Sequence, residues 1–266
     1  MDKRVIIAFL VLGTVACSKD LTNNQSGKIK AEFRANHPEM FSKVDGKDSW
    51  VGDGTEKIAV TLTQDEGTST GIYSINNMSG TTESETPAFW QNTKTKAKIT
   101  AVYPASLVKG SMMFKGSMEI KDQSTTDLFK QCDILTATKT NVSFSNSMAL
   151  EFKHAMAKVR VVLTPANGLD MTKVSSVKVN SYWYAAWDGS TLKGSSPGPV
   201  SACLETESST EAIYEAMVLP DKVNPIEFIT ISMEGEKIYK YNAPESPEKI
   251  LVAGNTYTYN ITVGSI

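Results

Sequence analysis

The sequence predicts an all-β protein built from two tandem β-sandwich domains. Apolar and polar residues alternate in run after run along the 266-residue chain, which is the period of a strand with one face in a core. Clusters of Gly, Ser, Thr, Asn and Pro, such as "NNMSGTTESETP" and "DGSTLKGSSPGP", separate these runs and indicate turns. About 240 residues remain after the leader and tether described below, which suits two sandwiches of roughly 100 residues each.

The first 16 residues predict an export signal. Lys3 and Arg4 precede a mostly apolar run over residues 5–15 that is too short to span a bilayer as a helix. We therefore expect a signal peptide over residues 1–16.

Cys17 follows this signal directly and is the expected site of lipid attachment. The stretch "GTVACSKD" resembles the bacterial lipobox, in which a diacylglycerol is joined to the cysteine and cleavage leaves that cysteine as the new N-terminus. Thr14 stands where this pattern usually has Leu, and an ordinary secretory cleavage site after Ala16 is the alternative. Residues 17–27 are polar and are expected to form a tether.

The charge balance argues against nucleic acid or an anionic surface as a partner. Removing residues 1–16 leaves 25 of the 27 basic and 28 of the 29 acidic residues, a formal net charge of −3. Nucleic acids are bound through an excess of basic residues, which this chain lacks.

The alternating runs fall into two groups of strands. The weakly hydrophobic "ATKTNVSFSNS" is the natural join, so we expect an N-terminal sandwich over residues 28–146 and a C-terminal one over 147–266. Helical spacing occurs only in "STTDLFKQCDIL", with Thr126 as the expected cap. The residues expected to face inward are Ile29, Ala31, Phe33 and Ala35; Ile58, Val60 and Leu62; Ala97, Ile99, Ala101 and Tyr103; Val177 and Val179; Ile229, Ile231 and Met233; and Tyr257, Tyr259, Ile261 and Val263.

His154 is expected to point into a core. In "LEFKHAMAKVRVVL", Leu150, Phe152 and His154 alternate with charged residues, which places the histidine on the inward face. After it the apolar phase slips by one residue, which predicts a β-bulge or a strand that crosses between two buried surfaces. The other histidine, His37, lies in a loop before a proline, and nothing in the sequence places it near His154.

The sequence offers little material for catalysis or for a metal or cofactor. Asp45, Asp48 and Asp53 invite a calcium interpretation, but they lack the D-x-D-x-D-G order, so solvated turn aspartates are favoured. No glycine-rich phosphate loop follows a strand. Cys132 and Cys203 allow one disulfide in an exported protein, although two separately buried thiols are favoured. We therefore predict no enzyme.

The densest aromatic patch is "YWYAAWDG", residues 182–189. Aromatic rings stacked on a β-sandwich can face sugars, but alternate rings of a strand normally enter the core. Packing in a core or interface is therefore favoured over glycan binding.

Four stretches of the chain form a recognisable set: "WVGDGTEKIAV" from Trp50, "AFWQNTKTKAKITAVYP" from Ala88, "LEFKHAMAKVRVVL" from Leu150 and "LVAGNTYTYNITV" from Leu251. Together they resemble the fimbrillin-like proteins, the Mfa-like group of lipoprotein pilins and accessory subunits of bacterial fimbriae. Their order and spacing agree with the family across almost the whole mature chain. The family's Phe-x-His-x-x-Ala-Lys pattern falls on Phe152, His154, Ala157 and Lys158, where the histidine belongs to a packed strand.

The resemblance implies transthyretin-like sandwiches and assembly by strand exchange. In that scheme a trypsin-like protease releases the first strand, and a strand from a neighbouring subunit fills the groove. Ile29, Ala31, Phe33 and Ala35 have the alternation that an exchanged strand needs. Candidate cleavage sites are Arg34, which lies inside that strand, and Lys43 and Lys47, which are expected to be better exposed.

The leading hypothesis is a structural or adhesive subunit of a surface fimbria, held at the outer membrane by its lipid. Its expected partners are other fimbrial subunits and host proteins or glycans. Because little sequence follows Val263, we expect an accessory, tip or anchor-like component over the main stalk pilin. The alternative is a glycan-binding surface lipoprotein for nutrient capture, which exposed coplanar rings among Tyr182, Trp183, Tyr184 and Trp187 would favour.

Replacing Cys17 with Ala is expected to leave an unprocessed or soluble protein. Two or more acyl chains hold a protein firmly on a bilayer, since each buried methylene contributes roughly 0.8 kcal/mol. Mass spectrometry of the protein from its native envelope, together with membrane fractionation of the variant, measures this. A variant that stays as firmly in the membrane fraction would contradict the anchor.

Overall fold

A computed structural model describes residues 28–38, 49–108, 116–166, 168–223, 226–243 and 250–264 of the chain. Cys17, Lys43, Lys47, Asp45 and Asp48 lie outside the described residues.

The all-β prediction is confirmed, because the described residues form nineteen strands, one short α-helix and two 3₁₀ turns. The expected inward-facing residues are buried, except that Ile29, Tyr103 and Tyr257 are half-buried. The strands before the helix are β1 (Ile29–Lys30), β2 (Phe33–Asn36), β3 (Lys57–Gln64), β4 (Gly67–Ile75), β5 (Thr82–Thr86), β6 (Phe89–Trp90), β7 (Ala97–Tyr103) and β8 (Gly116–Glu119). Those after it are β9 (Leu135–Val142), β10 (Met148–Glu151), β11 (Lys153–His154), β12 (Ala157–Pro165), β13 (Val174–Trp187), β14 (Leu192–Ser201), β15 (Cys203–Glu207), β16 (Ala212–Val218), β17 (Ile229–Met233), β18 (Lys237–Tyr241) and β19 (Thr256–Val263).

The helix α1 (Thr126–Gln131) begins one residue earlier than the expected cap implies. Thr125, not Thr126, is the N-cap, and its hydroxyl accepts a hydrogen bond from the backbone N–H of Leu128. The 3₁₀ turns cover Ala105–Leu107 and Met171–Lys173. Within the described part of the chain, no helix is long and apolar enough to cross a membrane.

The N-terminal half packs a six-stranded sheet, in the order β11-β9-β7-β3-β4-β5, against two small sheets. One small sheet pairs β1 with β6 and the other pairs β2 with β10. The core between these layers contains Phe33, Trp50, Tyr73, Trp90 and Phe152. The first strand of the chain therefore closes one side of this core.

The C-terminal half packs two larger sheets face to face. A four-stranded sheet has the order β15-β16-β12-β19. A five-stranded sheet has the order β14-β13-β17-β18, and its fifth strand, β8, pairs with residues 184–187 of β13. Val159, Val161, Phe228, Ile231 and Ile261 are among the residues of its core. The last strand, β19, runs parallel to β12.

The boundary expected at residue 146/147 does not follow the strand pairing. Strands β10 and β11, within residues 148–154, pair with β2 and β9 of the N-terminal half. The C-terminal pairing starts at β12, so the chain crosses between the halves at Ala155 and Met156. This crossing explains the slip in apolar phase after His154, because residues on its two sides face different cores.

A third apolar cluster joins the two halves. Ala59 and Val102 on the back of the six-stranded sheet pack with Met156, Trp187 and Met217 from the C-terminal sequence. The six-stranded sheet is thus buried on both faces at residues 58–60 and 101–102, which accounts for the continuous apolar runs there.

Gln123 ties the backbones together inside this region. Its side chain is fully buried and donates to the carbonyls of Ile120 and Met217, at 2.9 and 2.8 Å. Its amide oxygen accepts from the Met217 N–H at 2.7 Å. One side chain therefore satisfies three backbone groups, which are the carbonyl of Ile120 and both the carbonyl and the N–H of Met217.

Replacing Gln123 with Met keeps the side-chain length but removes these hydrogen bonds. We expect the free energy of unfolding to fall by about 2–3 kcal/mol, the cost of leaving buried polar groups unpaired. The exposed Gln131, changed to Met, is the matched control and should alter stability by less than about 0.5 kcal/mol. Equal losses in urea titrations of the two variants would contradict this role.

Candidate functional site: the groove that holds the N-terminal strand

The extended segment of residues 29–36, which contains β1 and β2 and is called the N-terminal strand below, lies in a groove between two different edges. On one edge β2 pairs in parallel with β10, from Phe33 opposite Met148 to Asn36 opposite Glu151. The Met148 N–H donates to Glu32 O at 3.1 Å and the Phe152 N–H donates to Asn36 O at 3.1 Å. This edge is an ordinary backbone ladder.

The other edge combines side-chain donors with backbone pairing, because β1 pairs antiparallel with β6 and Arg34 forms a single β-bridge with Thr81. Three donors reach three alternate carbonyls of the strand: Tyr73 Oη to Ala31 O at 2.9 Å, Thr82 Oγ1 to Phe33 O at 2.7 Å, and Trp50 Nε1 to Ala35 O at 2.7 Å. The backbone contributes the N–H of Ala31 to Ala88 O at 2.9 Å and the N–H of Ala35 to Gly80 O at 2.8 Å. Alternate carbonyls point the same way in a strand, so the spacing of the donors matches its two-residue period.

The inward side chains of the strand complete the N-terminal core. Ala31, Phe33 and Ala35 are buried, and Ile29 is half-buried. The ring of Phe33 meets that of Tyr73 edge-on at 5.2 Å between centroids. The strand therefore supplies both apolar contacts and hydrogen-bond acceptors to the groove.

Tyr73 is central to the groove because its hydroxyl serves both sides. It donates to Ala31 O and accepts from the Ala88 N–H, each at 2.9 Å. Burial raises the pKa of Tyr73 far above its usual range, so the hydroxyl keeps its proton and remains a donor.

Gly80 allows the closest approach between strand and groove. A Cβ atom built on it would lie 1.8 Å from Ala35 O, and its φ of +82° favours glycine as well. Any other residue at position 80 would push the strand away.

Arg34, one of the candidate cleavage sites, lies within β2. Its side chain is exposed, and its Nε donates to Ser79 O at 2.8 Å. A protease must bind its substrate as an extended, free segment, so the paired backbone on both sides of Arg34 disfavours cleavage there. Lys43 and Lys47 belong to the undescribed segment that follows His37 and Pro38.

His154 is buried and paired, as expected for a structural histidine. It is 8% exposed, and its Nδ1 lies 2.8 Å from Asp133 Oδ1. Its strand β11 pairs with β9, so it lies in the N-terminal half and not in the second domain, where the sequence placed it.

The structure also brings the two histidines together. The His37 ring lies 6.3 Å from that of His154 and 4.7 Å from that of Trp50. No spacing rule connects residues so far apart in sequence, and only the return of the chain through β11 places them side by side.

The remaining candidate residues are separate from the groove. Cys132 and Cys203 are both buried and are not joined in a disulfide, and burial raises the pKa of Cys132 to about 12. Asp53 accepts from the N–H and hydroxyl of Thr55 in a turn, and these bonds lower its pKa. Among the described residues, no group of three or more His, Cys, Asp or Glu could hold a metal ion.

The four rings of "YWYAAWDG" do not form a common exposed platform. Trp187 is buried in the cluster between the halves, and Tyr182 donates to Asp221. Trp183 is 40% exposed, with its Nε1 donating to Pro199 O at 3.1 Å and its ring lying over Gly198. These contacts favour the packing interpretation of the patch.

Most of the groove residues could not be recognised from sequence patterns. Trp50 lies in one of the four stretches that carry the family resemblance, but its bond to Ala35 joins residues that no pattern links. Tyr73, Gly80 and Thr82 look like ordinary strand and turn residues. Their common role appears only when β4 and β5 are folded against β2.

Fold and groove define an all-β sandwich protein whose N-terminal strand fills a groove. The sequence profile of the fimbrillin-like family matches residues 42–266, so the chain belongs to the fimbrillin-like family. The resemblance seen in the sequence is thereby confirmed. Membership places the chain among fimbrial proteins of the cell surface.

Solved structures share the fold at low identity. A Bacteroides ovatus protein assigned to cell adhesion has 17% identity and a TM-score of 0.64, over 89% of this chain and 93% of that one. A Bacteroides uniformis protein with the same assignment has 14% identity and a TM-score of 0.62, over 90% and 94%. The tip fimbrial protein Mfa3 of Porphyromonas gingivalis has 11% identity and a TM-score of 0.50, over 88% and 95%. No curated protein sequence matches the chain.

Replacing His154 with Gln is expected to lower the free energy of unfolding by about 1–3 kcal/mol, because a buried polar group loses its partner. The exposed neighbour Lys153, changed to Gln, is the control. The loss should be the same in buffer containing zinc and in buffer containing a chelator. A loss seen only with metal present would assign His154 to a metal site.

Proposed function

We propose that this chain is a structural or adhesive subunit of a cell-surface fimbria that assembles by strand exchange and performs no catalysis. The observation that carries the proposal is the side-chain edge of the groove. The side chains of Tyr73, Thr82 and Trp50 donate to three carbonyls of the N-terminal strand, where backbone pairing on this edge is limited to the short β1–β6 ladder and one bridge at Arg34.

Loss of the N-terminal strand would leave many hydrogen-bonding groups of the groove without partners. Three side-chain donors, the carbonyls of Gly80 and Ala88 and the edge of β10 would lose their partners. The apolar slot filled by Phe33 would open to water. Another extended segment satisfies both needs at once, which is the physics of strand addition.

The processing that frees the strand is assigned to Lys43 or Lys47 over Arg34. Arg34 is held in paired backbone, whereas both lysines follow the end of the strand in sequence. A cut at either position separates residues 28–38 from the rest of the chain without removing any groove residue.

The remaining parts of the proposal concern attachment and organisation. Signal cleavage after residue 16 and acylation of Cys17 anchor the protein in the outer membrane until the cut at Lys43 or Lys47, with residues 17–27 as the tether. Two tandem sandwich domains follow, and the fimbrial role is accessory, tip or anchor-like. Other fimbrial subunits are the partners, and host proteins or glycans are the adhesive targets.

Cleavage is expected to make the first strand exchangeable. The chain from residue 18 onward, without lipid, would carry a site-specific protease sequence in place of residues 42–48. After the cut, a fluorescent peptide of residues 28–38 should enter the groove, and anisotropy should rise. Size-exclusion chromatography with candidate fimbrial subunits should then show complexes that depend on concentration.

The matched control carries the same protease sequence in place of residues 109–115, where a cut leaves the N-terminal strand covalently attached. It should not take up the peptide. If the first cleaved chain also refuses the peptide, or simply unfolds, strand exchange is wrong and the glycan-binding lipoprotein becomes the better hypothesis.

A further inference from the structure

We propose that the groove selects its strand by sequence: it admits an extended segment with small residues at the positions of Ala31 and Ala35 and an aromatic residue at the position of Phe33. The inference rests on the proposed strand exchange and goes beyond it, because it names the chemistry of the partner strand. It also excludes β19 of a second copy as that strand.

The side-chain donors fix the register of whatever strand enters. Tyr73, Thr82 and Trp50 each meet one carbonyl, and these carbonyls are two residues apart. Backbone carbonyls are common to every sequence, so these bonds recognise an extended strand without choosing its side chains. A strand shifted by one residue would turn its carbonyls and its inward side chains the wrong way.

With the register fixed, the side chains at the positions of Ala31 and Ala35 determine whether a strand fits the groove. Ala31 and Ala35 are 1% and 0% exposed, so a larger side chain at either position would have to be placed inside the core. Trp50, whose Nε1 donates to Ala35 O, is itself packed edge-on by Tyr103 and Phe152 at 5.3 and 5.7 Å. A larger side chain there overpacks the core.

The position of Phe33 favours an aromatic side chain. Phe33 is 4% exposed and meets Tyr73 edge-on, while the same tyrosine holds the neighbouring carbonyl of Ala31. A small residue at this position would leave a cavity beside Tyr73.

Gly80 sets how deeply the strand enters. A Cβ atom at position 80 would collide with the carbonyl of residue 35, whatever side chain that residue carries. The collision involves backbone, so the incoming strand has no rotamer that avoids it.

The C-terminal strand of this chain does not meet these requirements. Its inward residues are Tyr257, Tyr259, Ile261 and Val263, which place rings or branched side chains where the groove requires alanine. Copies of the chain are therefore not joined through β19, and the partner strand comes from a segment of the small-x-aromatic-x-small type.

Peptide competition on the cleaved chain tests the selection directly. Unlabelled peptides of residues 28–38 would compete with the labelled one in wild-type form, as A31L, as A35L, as F33A and as E32L. Glu32 is exposed, so E32L adds the same leucine on the outward face and serves as the control. The A31L, A35L and F33A peptides should bind roughly tenfold or more weakly, and E32L within about threefold of wild type. A peptide of residues 256–264 should not compete.

Two glycine variants of the cleaved chain test the close approach. G80A should abolish uptake of the labelled peptide. G54A is the control, because Gly54 also has a positive φ, +86°, but its Cβ would meet only Asn76 Oδ1 at 3.5 Å. G54A should bind the peptide as the parent does.

The outcomes separate this inference from strand exchange itself. If the wild-type, A31L and A35L peptides compete equally, or the β19 peptide competes as well, selection is overturned while exchange stands. If no peptide enters, both fail. The peptide series needs no variant of the protein, so a G80A chain that does not fold would leave that series decisive.

Discussion

The constraint on which the N-terminal half depends is the need to satisfy the outer edge of its first strand. A buried carbonyl must find a donor, and here three of them find side chains: Tyr73, Thr82 and Trp50. Each of those side chains is in turn fixed by the sandwich, as Tyr73 shows by accepting from the Ala88 N–H. The strand is thus bound much as a peptide ligand is bound, through backbone recognition and apolar pockets, although it belongs to the same chain.

The walls of the groove are packed against the rest of the fold. Trp50 is packed edge-on by Tyr103 and Phe152, and the six-stranded sheet behind it is buried on its other face against the C-terminal half. Gln123 and the crossing segment at Met156 connect the halves through hydrogen bonds and apolar packing. Packing of this kind favours a fixed groove shape, which the proposed selection by shape requires.

The two histidines contribute to the packing at the end of the N-terminal strand. His37 and His154 lie within 6.3 Å of each other between ring centroids, beside the end of the N-terminal strand. His154 is bound to Asp133, and His37 packs on Trp50 and bonds to the Pro38 carbonyl. Both rings therefore take part in the packing where the strand leaves the groove.

The sequence by itself determined the all-β class, the strands and the inward faces, because the two-residue alternation is a local consequence of strand geometry. It also determined the family, through stretches such as "LEFKHAMAKVRVVL". Only the tertiary structure decided that β10 and β11 pair with the N-terminal half, that β8 joins β13, and that Thr125 caps the helix. It alone placed Trp50, Tyr73, Gly80 and Thr82 around one strand. Those contacts join residues 15 to 49 positions apart, and no periodicity reports which strands meet across a sandwich.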